Sequence, residues 1–211
     1  GAAFFANCQK ANVDLTQCGD LSRIRALGTT GSPLSADTQN WGTEQFKRIK
    51  AQHPHSPYLH REIDGDIWWC NISGGTDFCG AFIGGNRELP QEAGVMQCRL
   101  LGCAVEAWNE AGEPVHGEVG ELVCAQPIPS MPLYFWNDQN NARYLASYFE
   151  MYPAGHGRKP GGGDAPATYG GVWRHGDWLR IGAADQGKNG GEGCVIFGRS
   201  DATINRHGLR M

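Results

Sequence analysis

The chain has 211 residues, a net charge of −4 at pH 7 and a hydrophobic content of 40%. This composition is ordinary for a globular protein, and the interspersed charges leave no basic stripe of the kind that binds nucleic acid along its phosphates. The 31 glycines and 11 prolines indicate many tight turns and a chain rich in β-structure.

The sequence also bears on the compartment. It contains no run of roughly 18 apolar residues, and its beginning, GAAFFANCQK, lacks the basic start of a signal peptide. Five of the eight cysteines fall in apolar, strand-like runs, which favours buried thiols over disulfides: Cys70, Cys98, Cys103, Cys124 and Cys194. The spacing of Cys98 and Cys103 argues against a zinc site. We therefore expect a reduced, cytoplasmic protein.

The first predicted elements are a strand and a helix joined by a glycine-rich turn. The alternation at residues 22–27 predicts a strand that ends in GTTGSPLS, residues 28–35, a position where ligands often bind. The spacing of Trp41, Phe46 and Ile49 predicts a helix over residues 37–53.

A second candidate ligand loop follows the next predicted strand. The apolar run at residues 66–70 predicts a buried strand, which leads directly into NISGGTDFCG, residues 71–80. Two adjacent glycines remove side chains there and leave room beside Thr76 and Asp77.

The rest of the chain is predicted to be mainly antiparallel. Short runs at residues 94–126 indicate hairpins, and residues 137–150 predict a short helix. Residues 154–171 are too rich in glycine and proline to bury much surface, so we expect a flexible insertion. WRHGDWLRI and CVIFGR, residues 173–181 and 194–199, predict adjoining strands.

These last two strands are predicted to bring polar side chains together. If they pair in one sheet, Asp177 and Arg199 lie towards the same end of it. The following segment, GRSDATINRHGLRM, adds Asp201 and Arg210, a set of charges suited to a phosphorylated ligand.

Four separated motifs, in the same order, resemble those of the adenylate-forming enzymes, a superfamily that includes acyl-CoA synthetases, luciferases and peptide-synthetase adenylation domains. The motifs are SGGTD at residues 73–77, GEVGELV at 117–123, WRHGDW at 173–178 and GRSDATINRHGLR at 198–210. The resemblance covers essentially the whole chain.

The resemblance implies a mixed α/β fold that forms part of the N-terminal domain of such an enzyme. It places residues 1–84 in an α/β subdomain and residues 85–200 in a β-barrel subdomain. Residues 201–211 would form the hinge and the start of the C-terminal domain.

The resemblance also implies a set of nucleotide-binding residues. Asp177 would accept hydrogen bonds from the ribose hydroxyls, and Thr76 and Asp77 would contact the phosphates of ATP and hold Mg²⁺ through Asp77. The remaining nucleotide contacts would come from the adenine-pocket segment and two arginines: Gly31, Ser32, Pro33, Arg199 and Arg210. Thr76, Asp77 and Arg210 would be the catalytic residues.

Two further residues have implied roles in the domain movement that follows adenylation. Asp201 would be the hinge residue, and Gly208 would bring the backbone of the C-terminal domain close to the coenzyme A site.

Taken alone, each of the nucleotide-binding patterns can also be explained without a ligand. Asp177 could cap a turn after Gly176, Thr76 and Asp77 could form an Asx turn, and either arginine could be solvated at a strand end.

Within the superfamily, WWCNISGGTDFCGAFIGGNRELP and PSMPLYFWND resemble the acyl-CoA synthetases that act on acetoacetate. An acetate enzyme carries a bulky tryptophan where this loop has Gly74. We therefore expect Gly74 and Gly75 to line a deeper acyl pocket. Two positions depart from the common pattern: Ser73 replaces the aromatic residue beside adenine, and Asp77 replaces a glutamate.

Two lysines of the superfamily have no counterpart in these residues: the lysine of the phosphate loop and the catalytic lysine of the C-terminal domain. We therefore expect the chain to be an internal part of a larger protein, to depend on the remaining portions of that protein, and not to form an adenylate by itself. Other interpretations stay open: a non-catalytic nucleotide-binding module of this fold, another short-chain acyl-CoA synthetase, or a β-rich domain that binds sugars on exposed tryptophans.

Overall fold

A computed structural model of the chain describes residues 1–53, 67–153, 171–182 and 192–201, together with the backbone of residues 205–206 and 209–210. The predictions for Gly208, for the side chain of Arg210 and for most of the insertion at residues 154–171 lie outside the described residues. The backbone strands β11 (Asn205–Arg206) and β12 (Leu209–Arg210) pair antiparallel.

The first part of the chain packs two helices against a small parallel sheet. It contains helix α1 (Ala2–Lys10), a 3-10 turn (Leu15–Gln17), strand β1 (Ala26–Thr29), helix α2 (Ala36–Gln52) and strand β2 (Trp68–Asn71). Strands β1 and β2 pair in parallel. The predicted helix over residues 37–53 is confirmed to within one residue at each end, whereas α1 was not predicted.

The start of α2 shows why this helix could be predicted. Ser35 is its N-cap, and the Ser35 hydroxyl accepts a hydrogen bond from the Thr38 N–H at 3.2 Å. Phe46 and Ile49 are buried on the face that packs towards β2. A Cβ at Gly42 would lie 2.6 Å from the Trp69 ring, so glycine lets the helix approach the sheet closely.

The second part of the chain is mostly antiparallel. A three-stranded sheet contains β3 (Ser73–Gly75), β4 (Gly80–Gly84) and β5 (Cys98–Arg99). A five-stranded sheet has the order β10-β9-β8-β6-β7 and is formed by β6 (Val105–Trp108), β7 (Pro114–Val115), β8 (Val119–Cys124), β9 (Trp173–Ile181) and β10 (Cys194–Arg199). Helix α3 (Ala142–Tyr148) follows a 3-10 turn (Gln139–Asn141).

These strands confirm the predicted hairpins at residues 94–126 and the predicted pairing of residues 173–181 with 194–199. Among the described strands, β10 and β7 are the two ends of the larger sheet, so the described part is a sheet rather than a closed barrel.

The hydrophobic core divides earlier than the predicted subdomain boundary at residue 84. Trp69 belongs to the core around α1 and α2, whereas Phe78, Phe82 and Ile83 pack with Leu122 of the antiparallel part. Strand β4 therefore contributes to the second core. The assignment of residues 1–84, 85–200 and 201–211 to subdomains and a hinge stays a prediction.

All eight cysteines lie in the described residues and all are free thiols. Of the five predicted to be buried, Cys70, Cys98 and Cys103 are only half-buried. Cys124 and Cys194 are buried, and burial raises the pKa of Cys124 to about 11 and that of Cys194 to about 12. Neither is therefore a reactive thiolate at neutral pH. No described helix is both long enough and apolar enough to span a bilayer.

Candidate functional site

The structure brings three of the predicted site residues together at the end of the β9–β10 pair. Arg199 lies opposite Asp177 in the strand register, after a shift between Ile196 and Gly198. The Arg199 Nη1 donates a hydrogen bond to the Asp177 Oδ1 at 3.0 Å, and its Nε donates to the Asp201 Oδ1 at 3.1 Å. The Arg199 Nη2 also binds the Asp201 Oδ2. The prediction that the strands carry Asp177 and Arg199 to the same end is confirmed.

Burial acts on both members of the Asp177–Arg199 pair. Asp177 is 8% exposed, and burial raises the pKa of its carboxyl group although His175 and Arg199 act in the opposite direction. Burial lowers the pKa of Arg199, but the hydrogen bonds with Asp201 and the attraction of the two carboxylates outweigh it, so its net pKa is raised. The guanidinium thus stays charged.

His175 is a buried member of the same cluster. Its Nε2 lies 3.7 Å from the Asp177 Oδ2, and the rings of Phe78 and Phe82 approach the imidazole edge-on, with centroids at 5.8 and 5.0 Å. Burial lowers the pKa of His175, and the negative charges of Asp177 and Asp77 oppose this effect. The imidazole is therefore neutral at neutral pH.

The loop with Thr76 and Asp77 lies in the turn between β3 and β4, and both side chains are exposed. The Tyr148 hydroxyl donates a hydrogen bond to the Asp77 Oδ2. The Tyr148 ring stacks on Trp173, with 3.7 Å between the centroids and an angle of 12° between the planes. Tyr148 thereby holds the loop carboxylate against strand β9, the strand that carries Asp177.

The two glycines of this loop are required by packing. A Cβ at Gly74 would lie 2.2 Å from the Gly80 carbonyl oxygen, and one at Gly75 would lie 2.1 Å from the Asp77 Oδ1. Any side chain at Gly74 would thus displace backbone of β4. Glycine at these positions has a structural cause that is independent of acyl-group size, and their role in an acyl pocket stays a prediction.

Gly31, Ser32 and Pro33 lie elsewhere, in the exposed turn between β1 and α2. Gly31 has a φ of +86°, which favours glycine. Ser32 and Pro33 line a shallow cavity between the two helices, together with Ala2, Ala3, Ala6, Leu34, Ser35 and Thr38. Their predicted contact with adenine is not tested by this geometry.

The Asp77 loop has the donors that a magnesium ion needs when phosphates supply the remaining ligands. No group of three or more His, Cys, Asp or Glu side chains in the described residues could hold a metal ion alone. Magnesium is usually bound by one or two carboxylates together with substrate phosphates and water. The exposed Asp77 carboxylate and the neighbouring Thr76 hydroxyl fit that arrangement.

Several residues of the site had no role assigned from the sequence. His175 lies inside the WRHGDW motif, which is the signal that could have identified it. Tyr148 and Asp77 are 71 residues apart, and Glu121 accepts a hydrogen bond from Gly176, 55 residues away. Local sequence patterns carry no information on contacts of such separation.

Comparisons with known proteins agree with the motif resemblance, although no family model matches the chain. The chain is 36% identical, over all 211 residues, to an acetoacetyl-CoA synthetase of Gallus gallus. It is 38% identical over 192 residues to acetoacetyl-coenzyme A synthetase of Rhizobium meliloti. These alignments span 26% and 23% of the two relatives, so the chain covers about a quarter of their length.

Solved structures show the same relationship. The acetoacetyl-CoA synthetase of Streptomyces lividans is 37% identical with a TM-score of 0.69, and the match covers 100% of this chain and 26% of that one. The anthranilate CoA ligase AuaEII, solved with anthranoyl-AMP, is 16% identical with a TM-score of 0.56 over 94% of this chain and 29% of that one, which shows the fold alone.

The described chain is therefore a mixed α/β segment of the adenylate-forming enzyme fold, as the four motifs implied. Within that fold its sequence relatives are acetoacetyl-CoA synthetases, to which it is 35–38% identical in the vertebrate and rhizobial examples.

Proposed function

We propose that the protein containing this chain is an acetoacetate–CoA ligase. It would convert ATP, acetoacetate and coenzyme A into AMP, diphosphate and acetoacetyl-CoA. The observation that carries the proposal is the 36% identity to an acetoacetyl-CoA synthetase along the full 211 residues. The Asp177–Arg199–Asp201 cluster supports it, because the three residues come from two of the matching motifs.

The reaction would proceed in two steps. A carboxylate oxygen of acetoacetate attacks the α-phosphorus of ATP, which releases diphosphate and forms an acyl-adenylate. The thiol sulfur of coenzyme A then attacks the acyl carbon, the thiol proton is lost to solvent or a base, and AMP leaves. Bound Mg²⁺ would offset negative charge on the phosphates.

Each predicted residue has a defined task in this scheme. Asp177 would bind the ribose hydroxyls, while Arg199 would hold the Asp177 carboxylate and contact the nucleotide. Thr76 and Asp77 would orient the phosphates and Mg²⁺. The remaining predicted residues would contact adenine, the phosphates or the acyl group, and these roles stay predictions: Gly31, Ser32, Pro33, Arg210, Gly74 and Gly75.

The hinge would act between the two steps. Arg199 binds both Asp177 and Asp201, so the proposed hinge residue is tied to the proposed ribose carboxylate. A rotation at Asp201 would have to break the Arg199–Asp201 contact, or move Arg199 together with Asp201. Gly208 would then approach the coenzyme A site. The remaining portions of the same protein are the required partners, and this chain alone would be inactive.

A panel of acids tests the proposal. The whole protein is incubated with ATP, Mg²⁺, coenzyme A and one of acetate, butyrate or acetoacetate, and diphosphate release is followed. We expect acetoacetate to give the highest kcat/KM. A preference for butyrate or acetate would indicate another short-chain acyl-CoA synthetase, and nucleotide binding without diphosphate release would indicate a non-catalytic module.

The panel is a better test of pocket size than a Gly74→Trp variant. The indole would first collide with the Gly80 carbonyl, so a changed acid preference in that variant would not report on the pocket alone.

We also propose the cytoplasm as the compartment. The eight free thiols support this, since oxidising compartments favour disulfides.

A further inference from the structure

A closed ring of polar contacts lies directly beneath the Asp177–Arg199–Asp201 cluster. The Gly176 N–H donates a hydrogen bond to the Glu121 Oε1 at 3.0 Å, and the Arg174 Nε forms an ion pair with the Glu121 Oε2 at 3.2 Å. The Arg174 Nη2 donates to the Ser200 hydroxyl at 3.2 Å. The Ser200 N–H donates to the Gly176 carbonyl at 2.9 Å, which closes the ring.

The ring joins three of the sequence motifs; its residues Glu121 and Gly176 are buried, and Arg174 and Ser200 are half-buried. Glu121 lies in GEVGELV and is 2% exposed, while Arg174 lies in WRHGDW and Ser200 in the segment that begins the predicted hinge. A buried carboxylate is costly unless it is paired and hydrogen-bonded. Glu121 meets this requirement only through Arg174 and the Gly176 N–H among the contacts described.

The residues of the ring are next in sequence to the residues of the Asp177–Arg199–Asp201 cluster. Gly176 immediately precedes Asp177, and Ser200 lies between Arg199 and Asp201. Gly176 has a φ of +82°, and a Cβ there would lie 2.5 Å from the Arg199 Nη2. The ring thus fixes an unusual backbone conformation at the point where the Arg199 guanidinium lies against the strand.

We propose that Glu121 and Arg174 are positioning residues that hold Asp177 and Arg199 in the geometry that binds the nucleotide. Neither touches the ligand. They act through the backbone of Gly176 and Ser200, and they connect the GEVGELV motif to the nucleotide site and the hinge segment. The proposal rests on the proposed function in one respect, namely that the ligand is an adenine nucleotide.

The test compares Glu121→Gln with wild type in the whole protein. Glutamine keeps the volume and one acceptor for the Gly176 N–H but removes the charge opposite Arg174. Glu118→Gln is the matched control, because Glu118 lies in the same motif and is exposed. AMP affinity is measured by calorimetry, KM for ATP and for coenzyme A by steady-state kinetics, and folding by the thermal midpoint.

We expect Glu121→Gln to raise the Kd for AMP and the KM for ATP by about tenfold, because the loss of the Glu121–Arg174 ion pair loosens the ring that holds the backbone at Gly176 and Ser200. The KM for coenzyme A and all constants of Glu118→Gln should stay within about twofold of wild type. A buried pair that served stability alone would lower the thermal midpoint and leave the affinity of the folded protein unchanged.

A second variant covers the case in which Glu121→Gln does not fold. Ser200→Ala retains the Glu121–Arg174 pair and removes only the hydrogen bond from Arg174 to the Ser200 hydroxyl, so we expect a smaller rise of about threefold in both constants. AMP affinity equal to wild type in folded Glu121→Gln, or in Ser200→Ala when the first variant is unfolded, would overturn the inference. Failure of the wild-type protein to bind any adenine nucleotide would instead contradict the proposed function.

Discussion

Asp177 shows how one side chain of the site is held before any ligand is bound. It is 8% exposed, and its Oδ1 already accepts a hydrogen bond from Arg199 at 3.0 Å. A carboxylate that is oriented in advance loses less conformational freedom when it accepts hydrogen bonds from a ribose. This is the property that a nucleotide-binding carboxylate requires.

Replacing Asp177 by Asn should weaken nucleotide binding without unfolding the protein. Asn keeps the size of the side chain, and Arg199 retains Asp201 as its partner. We expect the Kd for AMP to rise roughly tenfold to a hundredfold, since hydrogen bonds to a charged group contribute about 1.5–3 kcal/mol. Asp37→Asn, in the first turn of α2, is the control. Unchanged AMP affinity in Asp177→Asn would argue against its role.

Tyr148 offers a separate test of the Asp77 loop. Tyr148→Phe removes the hydrogen bond to Asp77 and keeps the stacking on Trp173. We expect the Mg²⁺ concentration for half-maximal activity to rise roughly tenfold, as for other residues that orient a metal ligand. Tyr144→Phe is the control, because Tyr144 lies on the same helix and its hydroxyl binds the Pro132 carbonyl instead. An equal Mg²⁺ requirement in both variants would show that Tyr148 does not orient Asp77.

His175 predicts a dependence of stability on pH. Burial places its pKa below the usual 6.5, so below pH 6.5 the unfolded chain takes up a proton that the folded chain does not. The free energy of unfolding should therefore fall as the pH drops below 6.5 and should not change through this group above it. Asp177 has the opposite effect on stability. Because its pKa is raised in the folded protein, it contributes to the free energy of unfolding below pH 3.8, and this contribution is lost as the pH rises through the folded pKa.

The thermal midpoint between about pH 7.5 and about pH 5.5 measures the histidine effect, because the usual pKa of histidine falls in this range. We expect a decrease towards low pH that is shallower in His175→Gln. His116→Gln is the control, since His116 is exposed. Equal slopes in all three proteins would show that His175 is not the group that titrates.

At the scale of the elements, the pairing of strands β8, β9 and β10 brings the residues of the site together. Gly176 lies inside β9 with a φ of +82°, and Gly198 lies inside β10 with a φ of +124°. These irregular positions accompany shifts in the strand register, which bring Arg199 opposite Asp177. Glycines and bulges at such points re-aim side chains.

A pair of glycine variants separates backbone strain from crowding. Gly117 has a φ of +77°, and a Cβ there would have no neighbour within 4 Å. Gly176 has a similar φ, but a Cβ there would lie 2.5 Å from the Arg199 Nη2 and 2.8 Å from the Asp201 Oδ2. We expect Gly117→Ala to lower the free energy of unfolding by about 1–2 kcal/mol and to leave AMP affinity unchanged. Gly176→Ala should cost more and should also weaken AMP binding.

Chemical denaturation and calorimetry on the two glycine variants check this difference. If Gly176→Ala and Gly117→Ala have the same stability and the same AMP affinity, then the close approach of Arg199 to Gly176 has no functional consequence.

The elements that the sequence predicted are those whose determinants are local. Helix α2 has an N-cap at Ser35 and apolar residues at helical spacing, and β9 and β10 lie beside glycine-rich segments that mark their ends. Helix α1 is short and has no side-chain cap at its start, so it lacks the local signals that made α2 predictable. The contacts of His175, Tyr148 and Glu121 join distant parts of the chain, so their roles required the structure.

At the scale of the whole molecule, the site depends on the second core. The Asp77 loop precedes β4, whose Phe82 packs with Leu179 of β9 in that core. The loop and strand β9 are therefore parts of one packed unit, while the exposed turn at residues 31–33 lies next to Leu34 of the first core. The chain spans about a quarter of its curated relatives, and we propose that it is the part that carries most of the nucleotide contacts.

A structure of the whole protein with a non-hydrolysable acyl-adenylate analogue tests this central claim most directly. We expect both ribose hydroxyls to lie within hydrogen-bonding distance of Asp177, with Arg199 still bound to that carboxylate and the phosphate mimic beside Thr76. An analogue bound with its ribose away from Asp177, or bound only in the cavity lined by Ser32 and Pro33, would contradict the claim.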